Sequence, residues 1–429
     1  MARRRPTRPA PLSDAGPLDG AVETVRIERI AAGGDGIGHL ADGRAVFVPR
    51  SAPGDLLELA RVARQKSFAR AEVGRILEPG TGRVAPPCPH YERDRCGGCQ
   101  VQHLDGETQR SARRAIVGDA LRRVGKLDTA DPELEPAAEE WGYRTRITLH
   151  QSSDGRRVGY HRVGRPGDIF DLERCLIAAP AVQELWSVLR LQRRFLPKRV
   201  ESLTLRLERG GARHILVKGA EPAWPEANRL VDVIRARLPD VSVWWQPPDG
   251  APRVIGESVT FPATVFEQVN PVMGDRARDW AVAALGDISG HAGWDLYAGI
   301  GETSRMLLAR GARIESVEGD VRAVRLAESL TGGGGAFSAH AGRVEEVIGT
   351  LRPADFVITN PPRTGMDARI VETIVASSAR TLVYISCDPA TLARDLRGLG
   401  AGWRVAALKA FDLFPQTAHV ETVAVLERA

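Results

Sequence analysis

The sequence predicts an α/β protein whose C-terminal part is a doubly wound parallel sheet, preceded by a small β-barrel and an α+β platform. Three observations predict it. Over about 263–429, apolar strand runs (WDLYAG, RIESVEGD, ADFVITNPP, TLVYISC) alternate with helical stretches, the rhythm of parallel βαβ units. Over 21–80, short alternating strands are separated by Gly- and Asp-rich turns, the signature of a small antiparallel barrel. A chain of 429 residues is too long for one ordinary domain and suggests about three.

Composition narrows the class. Hydrophobic residues make up 43% and charged residues 26%, which excludes wholesale disorder. No uncharged apolar run is long enough to cross a membrane. The N-terminus, MARRRPTRPAPLSDAGP, is basic with no apolar core behind it, so it is not expected to be a secretory leader. Five cysteines are too few for a disulfide scaffold of this size. The chain therefore reads as cytosolic, with cysteines that bind metal or do chemistry. The net charge of +5 does not by itself mark a nucleic-acid binder. Its placement is more suggestive: Arg3, Arg4, Arg5 and Arg8 in the tail, then clusters at Arg61–Arg70, Arg110–Arg123 and Arg190–Arg199 that could meet phosphates. Solvated helix faces explain any one cluster equally well.

Taken in order, residues 1–20 read as a disordered basic tail rich in Pro and Arg. Residues 21–80 follow as the barrel, and GGDGIGHLADGRAVFVPRSAPGD within it resembles the TRAM domain, an OB-like RNA-binding barrel of RNA-modifying enzymes. Residues 81–262 are expected to form a central α+β domain. It opens on a cysteine-rich stretch and a helix over 100–125 that could pack on the catalytic domain. Its strands include YRTRITLHQ, VESLTLRLER and DVSVWWQPP. Residues 263–429 form the doubly wound domain, closed by HVETVAVLER as a late antiparallel strand.

The C-terminal strand ends carry the chemistry. One strand ends in Asp295-Leu-Tyr297-Ala-Gly299-Ile-Gly301-Glu302 before a helix, and such glycines let the backbone approach a ligand closely. The dinucleotide pattern GxGxxG is absent. The next strand ends at Glu318, where an acid can accept the two hydroxyls of a ribose. A third ends in Asn360-Pro361-Pro362-Arg363. Acidic strand ends with an (N/D)PP loop resemble class I (Rossmann-like) methyltransferases, which use S-adenosylmethionine.

Cys387 closes the strand TLVYISC and opens Asp388-Pro389-Ala-Thr391-Leu-Ala-Arg394-Asp395. A lone cysteine after a strand is usually a packed small hydrophobe. This one stands at the carboxyl end of a strand, where ligands bind in such sheets, and just before a helix whose N-terminal dipole is expected to lower its pKa. SCDPATLARDL, with NPPRTG upstream and HVETVAVL downstream, resembles the RNA uracil-5-methyltransferase family. Carbon 5 of uracil is a poor nucleophile, so a thiolate first adds to carbon 6 and turns carbon 5 into an enolate carbon. The resemblance implies that Cys387 is this nucleophile and that Glu421, in His419-Val-Glu421-Thr-Val, is the base that removes the carbon-5 proton. A surface acid at a strand edge is the plain alternative for Glu421.

The same resemblance implies that Gln268, Tyr297, Glu302 and Glu318 contact the cofactor, with Glu302 at a variable family position. Phe266, in Phe266-Glu-Gln268-Val-Asn270, is implied to stack on an extruded base, against core packing as the alternative. Asn360 departs from the family, which usually has Asp at this strand end; it is assigned to both cofactor and base. An amide both donates and accepts, so it could match uracil or, turned over, cytosine. Arg363 is expected near the base or a phosphate.

Cys88, Cys96, Cys99 and the distant Cys175 supply four thiolates, a set that binds tetrahedral zinc or an iron–sulfur cluster. A zinc ribbon would pair two CxxC hairpins, and Cys88 and Cys175 lack such partners, so a cluster fits better. CGGCQVQHL and LERCLIA resemble the [4Fe–4S] segment of the same family, although seven residues separate the first two ligands here where five are common. The expectation is thus a monomeric enzyme that uses S-adenosylmethionine, carries a [4Fe–4S] cluster and methylates uridine in 23S ribosomal RNA. The rivals are a tRNA substrate, cytosine-5 methylation, and a non-catalytic RNA-binding factor. Intact Cys387 and Glu421 argue against the last.

Overall fold

The computed structural model describes residues 23–256, 265–332 and 334–429. The basic tail expected over 1–20 and the boundary expected at 262/263 lie outside the described residues.

The first sheet is built from six short strands. Thr24–Arg26 pairs with Leu56–Arg64, Arg29–Ile30 with Asp35–His39, and Ala45–Pro49 and Phe68–Glu78 complete the order between them. The two ends of that order, Thr24–Arg26 and Arg29–Ile30, are consecutive stretches of one segment, so the sheet curls back onto itself. Val25, Ile27, Val46, Val48, Leu57 and Leu59 fill its interior, in keeping with the alternation read from the sequence. Two glycines of GGDGIGHL make the tight curl possible. A Cβ on Gly36 would stand 2.1 Å from the Ser51 hydroxyl, and one on Gly38 2.3 Å from the Arg26 carbonyl.

A second six-stranded sheet carries the central part, and the helices Pro180–Leu191 and Ala227–Arg235 pack their buried faces on it. Both helices show the 3.6-residue apolar stripe of a one-sided helix: Val182, Leu185, Trp186 and Leu189 in the first, Leu230, Val231 and Ile234 in the second.

The third sheet has eight strands in the order Phe337–Ala341, Arg313–Glu318, Ala292–Leu296, Phe356–Thr359, Thr381–Ser386, Glu421–Arg428, Trp403–Phe411, Glu133–Glu135. The first five are mutually parallel, and Glu421–Arg428 runs antiparallel between its neighbours. Continuous apolar runs such as FVIT and TLVYIS follow from burial on both faces. Phe356 and Ile358 face Met273, Ala277 and Leu307, whereas Val357 faces Ile370, Ile374, Leu392 and Leu396. The helix Gly106–Ala120, capped by Asp105 and continued by a π turn Leu121–Gly125, joins this second cluster through Val117 and Leu121. The chain that follows adds the edge strand Glu133–Glu135, so the segment after the cysteines is built into the C-terminal sheet.

Candidate active site

Strand direction gathers the sequence-selected residues on one edge of the third sheet. Tyr297, Glu318, Asn360 and Cys387 each follow or end a parallel strand, and Glu421 begins the antiparallel one, which starts on the same edge. The chain order reverses between Ala292–Leu296 and Phe356–Thr359, which opens a crevice at their carboxyl ends.

The turn after Ala292–Leu296 is held open by backbone geometry and a buried acid. Tyr297, Gly299 and Gly301 have φ of 61°, 57° and 77°. Tyr297 is the costly one, because a non-glycine residue rarely adopts that region. A Cβ on Gly299 would meet nothing within 4 Å, so the space above it is free for a ligand. Asp295 is buried and accepts a 2.5 Å hydrogen bond from the Ser304 hydroxyl, tying strand to helix; burial pushes its carboxyl up to about 7. Glu318 accepts from the backbone N–H of Gly299 at 3.0 Å and of Asp320 at 2.8 Å. Each of its oxygens keeps a lone pair for a hydroxyl.

The other expected cofactor contacts are less alike. Gln268 accepts from the Val269 N–H at 2.9 Å and packs tightly against Gly274 of the helix Pro271–Ala283. Asn360 is exposed, its N–H donates to the Leu296 carbonyl at 3.2 Å, and its side chain has no hydrogen bond among the described residues. Glu302 is engaged elsewhere, paired with Arg209 at 3.0 Å and Arg278 at 3.2 Å. Phe266 is not packed in a core: it is 59% exposed, with the Arg146 guanidinium 5.8 Å from its ring centroid.

Cys387 and Glu421 stand together. Ser386 pairs with Thr422 in the antiparallel ladder, and one step further along both strands brings Cys387 opposite Glu421. Glu421 is buried, its Oε2 has no hydrogen-bond partner, and burial pushes the carboxyl up to about 7 against the lowering charges of Arg363 and Arg278. It is therefore no surface acid. Against the lowering expected from a helix start, the Cys387 thiol is raised. Burial, then the charge of Glu421, push the thiol up to about 11, with Arg363 opposing. Asp388 takes the N-cap of Pro389–Leu399 and accepts from the N–H groups of Ala390 and Thr391. Arg363 is exposed and lies 3.5 Å from Nε2 of His419, whose imidazole is kept neutral by burial and the nearby charges of Arg363 and Arg144, down to about 4. His419, Arg278 and the Asp295–Ser304 pair were not selected from sequence. His419 lies two residues before Glu421, and that adjacency was the one available signal.

The four remaining cysteines share a neighbourhood. All are free thiols; Cys88, Cys96 and Cys99 are buried and Cys175 is partly so. Burial pushes Cys96 up to about 12, with Cys175 and Cys88 adding to it, and Cys99 is raised in the same way. Among the described residues, however, no group of three or more His, Cys, Asp or Glu side chains is gathered at metal-binding separation. The donor chemistry suits a four-thiolate metal group, while the side-chain spacing does not display one.

No helix among the described residues is long and apolar enough to cross a membrane.

Three similarities bear on this arrangement. A family model described as tRNA (Uracil-5-)-methyltransferase matches residues 342–429. The chain is 31% identical over 472 residues to the 23S rRNA (uracil(1939)-C(5))-methyltransferase RlmD of Halomonas elongata, covering 100% of this chain and 96% of that one. It is 30% identical over 420 residues to the enzyme of the same name from Dechloromonas aromatica, covering 90% and 95%. In three dimensions it resembles the Pyrococcus abyssi tRNA (uracil-54, C5)-methyltransferase, solved in complex with S-adenosyl-L-homocysteine. The TM-score is 0.72 at 23% identity, over 94% of this chain and 99% of that one.

Proposed function

The chain belongs to the RNA uracil-5-methyltransferase family, and from that premise we propose that it methylates carbon 5 of a uridine in 23S ribosomal RNA through a covalent adduct at Cys387. The observation that carries the reading is the buried, unpartnered carboxylate of Glu421 opposite the Cys387 thiol. An amine or hydroxyl acceptor would need no such pair.

The roles follow from position. The Cys387 thiolate adds to carbon 6, and the new S–C bond pushes electron density to carbon 5. S-adenosylmethionine, when bound, supplies the electrophilic methyl group and leaves as S-adenosylhomocysteine. Glu421 then takes the carbon-5 proton, the carbon 5–carbon 6 double bond re-forms, and the C–S bond breaks to release Cys387 as thiolate. A carboxyl whose pKa lies near 7 is suited to accept that proton at neutral pH. Arg363 favours the thiolate that burial and the Glu421 charge disfavour. Gln268, Tyr297, Glu318 and Asn360 line the crevice and would hold the cofactor, with Glu318 on the ribose hydroxyls. Glu302, already paired with two arginines, is assigned to fixing the helix.

The exposed Phe266 and the guanidinium of Arg146 beside it are assigned to stacking on the target base and to the RNA backbone. The curled N-terminal sheet is read as a TRAM domain that adds RNA contact, and Cys88, Cys96, Cys99 and Cys175 as ligands of a [4Fe–4S] cluster. The ribosomal substrate is favoured by full-length relatives of that name, whereas the tRNA enzyme it resembles shares the fold at lower identity. The test offers the protein a methyl-labelled cofactor with unmodified 23S rRNA and, separately, with tRNA. Label at carbon 5 of a 23S uridine is expected. Label in tRNA alone would reassign the substrate, and label on cytosine would reassign the base.

A further inference from the structure

Oε2 of Glu421 has no hydrogen-bond partner to aim it, so its direction leans on the backbone that delivers it. That backbone pairs with Phe411 at the strand start, and the loop 412–420 joins the two; five consecutive carbonyls of that loop are occupied. Leu413 accepts from the Asn270 side-chain amide at 3.1 Å, and Pro415 from the Tyr143 hydroxyl at 2.9 Å. Gln416 accepts from the N–H groups of Gln100 and Val101 at 3.1 and 3.2 Å. Phe414 accepts from Thr417 within the loop, and Thr417 itself accepts from Arg113 at 2.9 and 3.1 Å. Apart from Thr417, these donors come from chain that precedes Ala292–Leu296, the first of the parallel strands.

Arg113 is the centre of this mould. It projects from the helix Gly106–Ala120, is 1% exposed, and spreads its guanidinium over the Thr417 carbonyl, the Asp412 carboxylate at 3.3 Å and the Gln109 side chain at 3.0 Å. Gln109 in turn accepts from the Gln416 N–H and donates to the Gln416 side chain, both at 3.0 Å. Gln416 has a φ of 68°, a backbone state that a non-glycine residue keeps only where its surroundings over-determine it. The planar fork of arginine suits this task because it fixes several acceptors in one rigid frame, which a lysine cannot do.

We propose that Arg113 is a positioning residue for Glu421, acting through Gln109 and the loop 412–420 to set where the carboxylate stands against carbon 5. The proposal rests on the reading of Glu421 as the base. A tie that only stabilised the fold would lower yield and melting temperature and leave the ratio of chemical steps alone. A positioning residue for the base slows the step after methyl transfer selectively, so the methylated adduct builds up.

The test uses the full chain, labelled S-adenosylmethionine and unmodified 23S rRNA. It compares Arg113→Lys, Tyr143→Phe and Glu421→Gln with the wild type. Tyr143→Phe removes a single hydrogen bond and covers the case in which Arg113→Lys does not fold. With Arg113→Lys, kcat is expected to fall about 10- to 100-fold. The KM for the cofactor should stay within about twofold, and a methyl-labelled protein–RNA band should appear on a denaturing gel, as with Glu421→Gln. Tyr143→Phe should shift both readouts the same way by less. If Glu421→Gln traps the adduct while the folded Arg113 and Tyr143 variants lose turnover without any trapped band, or lose none, Arg113 does not position the base. If Glu421→Gln itself turns over normally, the base is another residue and the proposal falls with that reading.

Discussion

Cys387 and Glu421 face each other one step beyond the Ser386–Thr422 pair, where the antiparallel ladder between Thr381–Ser386 and Glu421–Arg428 runs out. The end of the ladder brings the two residues close enough for the charge of one to act on the other. Each then bears on the other. The Glu421 charge adds to burial in raising the thiol, and burial leaves the carboxyl protonated up to about pH 7. The two groups thus resist being ionised together.

Their order of action separates them experimentally. Cys387→Ala is expected to abolish both methyl transfer and covalent capture, because on the proposed route the carbon-6 addition comes first. Glu421→Gln keeps the nucleophile and removes the later proton acceptor, so a methyl-labelled protein–RNA adduct should accumulate. Loss of a general base typically costs ~10²–10⁴-fold, which lets the adduct outlast a denaturing gel. Asp388 and Asp395 are poor substitutes for the base. Asp388 caps a helix, and Asp395 accepts from the Tyr384 hydroxyl and the Met366 N–H. Methyl transfer by Cys387→Ala would refute the covalent route.

Asn360 is exposed beside the Leu296 strand end and free to present either face of its amide. Asn360→Asp should therefore keep methylation of the native uridine, since a carboxylate accepts from the uracil N3–H, and should show no action on cytosine. Activity is checked by nucleoside analysis of the modified RNA. Appearance of 5-methylcytidine with the wild-type protein would show that the amide reads the other base.

The parallel strands, the glycine turn and Cys387 were legible in the sequence because each depends on local pattern. What was not legible depends on which segments meet. Glu421 sits in a stretch that reads as an edge strand, yet it is buried, because Trp403–Phe411 and then Glu133–Glu135 add outside it; ELE carries no strand signal of its own. Arg113 belongs to a helix studded with arginines and reads as one more solvated cation, whereas tertiary packing buries it against the loop 412–420. The sign of the Cys387 shift was not legible because its largest causes, burial and the charge of Glu421, arise from tertiary packing.

The cysteine site is tested by composition and spectrum. If Cys88, Cys96, Cys99 and Cys175 are cluster ligands, anaerobically purified protein should be brown and hold about four irons per chain. Cys175→Ser should lose the colour and lower the melting temperature of the central part, where Cys175 packs on both neighbouring clusters of buried side chains. Stoichiometric zinc in a colourless protein would overturn the cluster in favour of a tetrahedral site.

The buried carboxyl of Glu421 also has a stability signature. In the unfolded chain Glu421 ionises at its ordinary 4.5, but in the fold burial holds the proton up to about 7. Between these values the native state binds the extra proton, so stability falls as pH rises through the window. The contribution is fully present below pH 4.5 and is lost by about pH 7. By linkage the loss is on the order of 3 kcal/mol at pH 8. Glu421→Gln cannot ionise and should remove this slope. Its stability relative to the wild type should therefore climb from pH 4.5 to pH 8, while its turnover collapses. Urea unfolding of both proteins across that range measures the difference directly. Parallel stability curves would mean that Glu421 is already solvated in the free protein, and that its suitability as a base comes from the bound RNA instead of from the fold.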